Sequence, residues 1–80
     1  MKPRIAVLGC GYWGRNLVRN FHELGVLGMV CDPVDAGRLE AKRIARETDA
    51  VQGVDQALGN ADITAVAVAT PAAMAVFPAL

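Results

Sequence analysis

Eighty residues exclude two domains and leave room for one small one at most. Hydrophobic residues make up 54% and charged residues 20%, which excludes a disordered, collagen-like or low-complexity chain. Eight Lys and Arg balance eight Asp and Glu, so no net field draws DNA, RNA or an anionic membrane, and neither nucleic acid nor membrane is an expected partner.

The first element expected is a buried strand over Arg4–Leu8, a short run with Ile5 and Val7 that ends at a glycine cluster. From Tyr12 to Leu24 the residues Leu17, Val18, Phe21 and Leu24 recur at three- and four-residue spacing. Arg15, Asn16, Arg19, Asn20 and Glu23 fill the opposite side, the pattern of an amphipathic helix stopped by Gly25. Val26–Cys31 is apolar again and bounded by Gly25 and Asp32-Pro33, which predicts a second buried strand. A charged-out helix follows between Val34 and Thr48, with Ala41, Ile44 and Ala45 on its inner face despite Gly37; Leu39 is off that face.

Ala50–Gly53 suits a very short edge strand, and Val54–Leu58 a single helical turn ended by Gly59-Asn60. Ile63–Ala69 is a nearly unbroken apolar run, the fourth strand, after which Thr70-Pro71 is expected to open a third full helix at Ala72, cut off by the chain end. The stretch from Ile63 to Leu80 carries no charge, but Pro71 and Pro78 and the break at Thr70-Pro71 argue against a spanning helix. This order of elements predicts an α/β fold: a partial doubly wound (Rossmann) parallel sheet in order 3-2-1-4, truncated after the start of its third helix. The outer edge of the fourth strand is then left open, with marginal stability and self-association through that edge as the expected result.

Gly9, Gly11 and Gly14 form Gly-x-Gly-x-x-Gly between the first strand and the first helix, where the pattern has mechanical meaning. A side chain would strain the tight turn at Gly9, block a diphosphate at Gly11 and push the helix off the sheet at Gly14. The unpaired N–H groups of the helix start make an anion seat that needs no lysine. Asp32, eighteen residues after Gly14, ends the second strand, where a carboxylate accepts hydrogen bonds from both ribose hydroxyls of an adenosine. Its charge repels the 2′-phosphate of NADP, so NAD is the expected cofactor. A plain glycine turn and a plain helix cap remain the bland alternatives for the two features.

Thr70 and Pro71 end the fourth strand across the topological switch point from the glycine loop. There a hydroxyl can serve the phosphates or the nicotinamide ribose, or simply start a helix. Tyr12 and Trp13 fill the variable positions of the fingerprint; one ring is expected to cover the dinucleotide or pack under the loop, with packing favoured for Trp13. His22 reads as a solvated surface residue and Arg38 as a solvated helix charge. Cys10 and Cys31, which end adjacent strands, are too few for a disulfide scaffold and lack metal-ligand spacing, so buried free thiols in a reducing, cytoplasmic setting are expected. The run after Lys2, Pro3 and Arg4 is broken by Gly9 and Gly11 before it can serve as an export signal.

The segments Ile5 to Phe21, with Gly9-Cys10-Gly11-Tyr12-Trp13-Gly14-Arg15-Asn16 at their centre, then Val30-Cys31-Asp32 and Val66 to Ala73, resemble the N-terminal domain of the Gfo/Idh/MocA oxidoreductases. The Gly-Tyr-Trp-Gly-x-Asn loop is similar to that of members oxidising nucleotide-linked sugars. The resemblance implies NAD(P) binding by Gly9, Gly11, Tyr12, Trp13, Gly14, Asp32, Thr70 and Pro71. It implies a sugar-type small-molecule substrate in the full-length protein, and residues 1–80 as the N-terminal part of a dinucleotide-binding domain. The family's Glu-Lys-Pro motif with its catalytic lysine, and its C-terminal substrate domain, are expected beyond Leu80, so no catalytic residue is expected here. Met74-Ala75 stands where the family has a Thr-His pair. The alternatives are a non-catalytic NAD-sensing module and, more weakly, an S-adenosylmethionine-dependent transferase.

Overall fold

The computed structural model describes residues 3–70 and 73–78, with side chains through residue 69. In chain order the elements are β1 (Ile5–Leu8), α1 (Gly14–Glu23), β2 (Leu27–Cys31), α2 (Asp35–Ile44), β3 (Asp49–Val51), α3 (Asp55–Leu58), β4 (Ala65–Thr70) and β5 (Ala73–Pro78). The fold is α/β, a partial Rossmann-like arrangement whose parallel strands run in the order β3-β2-β1-β4. No helix among the described residues is long and apolar enough to cross a membrane.

Strand periodicity divides the core into two layers, because successive side chains point to opposite faces. Ala6, Met29, Cys31 and Val66 face one way and pack with Ala57 of α3 and Ile63. Val7, Val30 and Ala69 face the other way, against Val18 of α1 and Ala41 of α2. Val7, Val18 and Val30 are wholly buried, so the second layer is where α1 is fastened to the sheet. Each such valine contributes on the order of 1.5–3 kcal/mol by burial.

Chain ends of the helices follow local chemistry. α1 stops where Gly25 takes φ +75°, with its N–H on the His22 carbonyl and the Val26 N–H on the Phe21 carbonyl. That pair of bonds is a Schellman closure, which needs a residue tolerant of the left-handed region. Leu24, expected on the inner face, is 70% exposed because it caps the helix and the chain turns away at the next residue. α2 ends at Ile44 rather than Thr48: Ala45 leaves helical geometry, and Lys42 Nζ donates to the Thr48 carbonyl at 2.6 Å.

Ala72, where a helix is expected to open, lies outside the described residues, but Ala73–Pro78, expected within that helix, form β5, an antiparallel strand that pairs Thr70 with Ala73 and Ala65 with Pro78. Met74-Ala75-Val76-Phe77 offers no polar positions at helical spacing, so a helix there gains nothing from an amphipathic face. Pairing with β4 satisfies backbone groups that a strand edge leaves open. The free edge expected at β4 is therefore covered, and self-association through β4 itself loses its template.

Candidate functional site

Parallel pairing brings the ends of β1, β2 and β4 together: Leu8 lies beside Cys31 on one side and Val68 on the other. The chain leaves β1 through Gly9, whose N–H donates to the Cys31 carbonyl at 2.7 Å and whose φ is +95°. A Cβ at Gly9 would stand 2.9 Å from the Ala69 carbonyl oxygen, so the end of β4 closes on the turn from the other flank. At Gly14 a Cβ would lie 1.9 Å from the Gly9 carbonyl oxygen, a clash between backbone and side chain that admits glycine alone. α1 thus begins directly on the end of β1.

Gly11 differs from both. Its Cβ position has no neighbour within 4 Å, so nothing in the described protein requires glycine there, and a side chain would fill the open space above the loop. The amides of Gly11, Tyr12, Trp13 and Gly14 have no hydrogen-bond acceptor among the described residues; the first bond of the helix start is Arg15 N–H to the Gly11 carbonyl at 3.1 Å. α1 carries no side-chain cap and no acidic residue in its first turn. Its positive end is therefore left to whatever anion approaches.

Asp32 meets this loop directly. Its Oδ2 accepts the Cys10 N–H at 2.8 Å and its Oδ1 the Val34 N–H at 2.9 Å, with the residue only 7% exposed. A carboxylate offers about four lone-pair sites. Two protein bonds leave about two of these unused by the described residues. Asp32 lines a cleft of about 430 Å³ together with Cys10, Gly11, Tyr12, Arg15, Val34, Ala36, Gly37 and Glu40. A second, apolar crevice of about 240 Å³ opens on the other side of Gly9, between Leu8, Cys31, Pro33, Gln52, Val54 and Val68. These residues fit a diphosphate flanked by a sugar: main-chain donors, an open glycine position and a partly engaged carboxylate lie in one place.

Electrostatics around the cleft are mixed. Burial, then Glu40 and Asp32, pushes the Cys10 thiol up to about 11, and burial likewise raises Cys31. Both cysteines are free and buried, and they face opposite layers of the core rather than each other. Hydrogen bonding from Arg43 holds the Glu40 carboxyl below its ordinary value, and the same pair raises Arg43.

Not every expected residue behaves as expected. Trp13 does not pack under the loop: it is 52% exposed and meets Tyr12, 69% exposed, edge to face at 5.5 Å. The Arg15 guanidinium stands 5.1 Å over the Tyr12 ring. Arg38 is not a solvated helix charge, since it donates to the Asp32 carbonyl at 2.7 Å and pairs with Asp35. His22 is exposed on α1. Thr70 is the last residue of β4, one position beyond the carbonyl that touches Gly9, and Pro71 lies outside the described residues. Sequence reasoning passed over Gly37 and the Val34 amide. A glycine inside a helical pattern was the available signal, because it costs about 1 kcal/mol relative to alanine and so marks a close approach.

No protein-family model matches the chain, and a search of the curated proteins gives no match.

Proposed function

We propose that the chain is the nucleotide-binding portion of an NAD-dependent sugar or cyclitol dehydrogenase of the Gfo/Idh/MocA type, with NAD held between the Gly9–Gly14 turn and Asp32. The observation that carries the reading is the hydrogen bond from the Cys10 amide to the Asp32 carboxylate. It holds a carboxylate beside a set of amides whose acceptors are absent among the described residues, which supports a ribose acceptor next to an anion seat. The open Gly11 position supports the same reading, since close approach of a diphosphate to the backbone explains a glycine that packing does not. Bound NAD supplies hydride transfer; the residues described supply binding and orientation. The Gly11 to Gly14 amides and the positive end of α1 hold the diphosphate, and Asp32 accepts the adenosine ribose hydroxyls. Thr70 and Pro71 are proposed to flank the nicotinamide ribose, with Tyr12 and Trp13 over the diphosphate.

NAD is preferred over NADP because a 2′-phosphate would have to lie against the Asp32 carboxylate, while Arg38 is already committed to Asp32 and Asp35. The family pattern assigns proton handling to a lysine in a Glu-Lys-Pro motif that these eighty residues do not contain, so binding is the property tested. The test is calorimetric titration of NADH, NADPH and S-adenosylmethionine against the chain and Asp32→Ala. NADH binding that exceeds NADPH binding and falls in the variant supports the reading. Binding of the methyl donor without NADH, or NADH affinity indifferent to Asp32, removes it.

A further inference from the structure

Gly37 is the third residue of α2 and is buried, in a position where an amphipathic helix ordinarily carries a side chain. Its backbone gives no reason for glycine, since the positive-φ glycines among the described residues are Gly9 and Gly25. Glycine is also the poorest helix former after proline. The reason lies across the turn: a Cβ on residue 37 would stand 1.9 Å from Asp32 Oδ2, 2.4 Å from its Cγ and 3.1 Å from Oδ1. The carboxylate can yield only by giving up its hydrogen bonds, because Oδ2 is bound to the Cys10 N–H and Oδ1 to the Val34 N–H. Its backbone is held as well, by the Arg38 guanidinium on the Asp32 carbonyl and by the Asp32 N–H on the Val51 carbonyl at 2.9 Å.

We propose that Gly37 is a positioning residue for the nucleotide site: by presenting no side chain it admits the Asp32 carboxylate to the seam between the glycine loop and α2. It thereby sets the chain's ability to sense the adenosine ribose hydroxyls. The inference rests on the NAD reading above and extends it to a helix residue that lines the same cleft and acts through Asp32. Any side chain at 37 drives the carboxylate off the Cys10 amide. The loop then loses its tether and the ribose loses an acceptor whose direction is fixed from both sides.

Two measurements on the 80-residue chain test it. In the first, NADH, ADP-ribose and the 2′,3′-dideoxyadenosine analogue of ADP-ribose are titrated against the unaltered chain and Gly37→Ala. The unaltered chain should favour ADP-ribose over its dideoxy analogue by about tenfold or more, as loss of hydrogen bonds to a charged group implies. Gly37→Ala should bind NADH more weakly by a similar factor and no longer distinguish the two analogues. A variant that merely loosened the fold would weaken both analogues alike and keep their ratio. In the second, thermal unfolding is compared in the Asp32 and Asp32→Ala backgrounds. Gly37→Ala should lower the midpoint in the first and leave it unchanged or raise it in the second, where the clashing atoms are gone. Preserved discrimination in Gly37→Ala, or the same midpoint shift in both backgrounds, overturns the role of Gly37 while leaving NAD binding standing. Failure of the unaltered chain to bind NADH or ADP-ribose overturns both.

Discussion

Replacing Asp32 by asparagine changes one oxygen to an amide nitrogen and leaves shape and volume almost untouched, so its effect isolates the two hydrogen bonds at the seam. Oδ2 accepts from the Cys10 amide at 2.8 Å and Oδ1 from the Val34 amide at 2.9 Å. Asparagine has a single acceptor oxygen. Whichever way its amide is turned, one backbone N–H faces an NH₂ group and goes unpaired, and the other bond loses its charge. A charge-assisted bond is worth about 1.5–3 kcal/mol, and a donor left unpaired costs about 1–3 kcal/mol at the buried Cys10 amide and less at the part-buried Val34 amide, so a total loss of about 2–4 kcal/mol is expected. At roughly 0.05–0.15 kcal/mol per residue, the whole chain has on the order of 4–12 kcal/mol of stability, so the substitution removes a large share of it. Urea unfolding at neutral pH measures this as a midpoint lowered by about 2 M or more with an unchanged slope, taking a slope near 1 kcal/mol/M for a small protein. Asp35→Asn is the control: Asp35 has a side chain 87% exposed, and its ion pair with Arg38 should contribute less than about 1 kcal/mol. If Asp32→Asn unfolds within about 0.5 kcal/mol of the unaltered chain, or no more easily than Asp35→Asn, the seam does not hold the loop as described.

Two further outcomes follow from the same geometry. Gly14→Ala places a Cβ at 1.9 Å from the Gly9 carbonyl oxygen, so α1 must lift from β1. Loss of the Val18 contacts should then cost about 3 kcal/mol or more, read as a broadened or missing unfolding transition in circular dichroism. The buried Cys10 thiol, raised from 9.0 to about 11, holds its proton more tightly folded than unfolded. Its contribution to stability is complete below pH 9 and disappears as pH climbs toward 11. The unaltered chain should lose stability across that interval more steeply than Cys10→Ala, and its thiol should resist alkylation at pH 8 until denaturant is added. Equal slopes for the two chains would show that the thiol is not desolvated.

Much of the fold was legible because its signals are local. Ile5 to Leu8 running into glycines, the Leu17-Val18-Phe21 spacing and the apolar run before Asp32 each announce an element without reference to the rest. The strand order then follows from the need of parallel strands for long crossovers. Residues 73–78 were misread because Thr70-Pro71 is a sound helix opening when judged alone, whereas the decision depends on the unpaired edge of β4, a tertiary feature. The juxtaposition of Gly9, Gly11, Gly14 and Asp32 was readable from their places at strand ends. The orientation of Trp13 was not, since whether a ring in a loop is covered or exposed depends on neighbours that only the tertiary fold brings to it. Gly37 escaped for a related reason: its meaning is the space it leaves for a side chain five residues earlier, and no periodicity records an absence.

The measurement closest to the central claim is NADH titration of Gly11→Ala beside its thermal unfolding. Among the described residues no atom beyond the two adjoining residues lies within 4 Å of the new methyl group, and the backbone there is ordinary, so folding should be unchanged or slightly firmer. Binding should nonetheless fall by tenfold or more, because under the proposed reading the methyl stands where the diphosphate meets the amides. An alanine variant that folds equally well and binds NADH as tightly as the unaltered chain would contradict the proposal that this turn holds the dinucleotide.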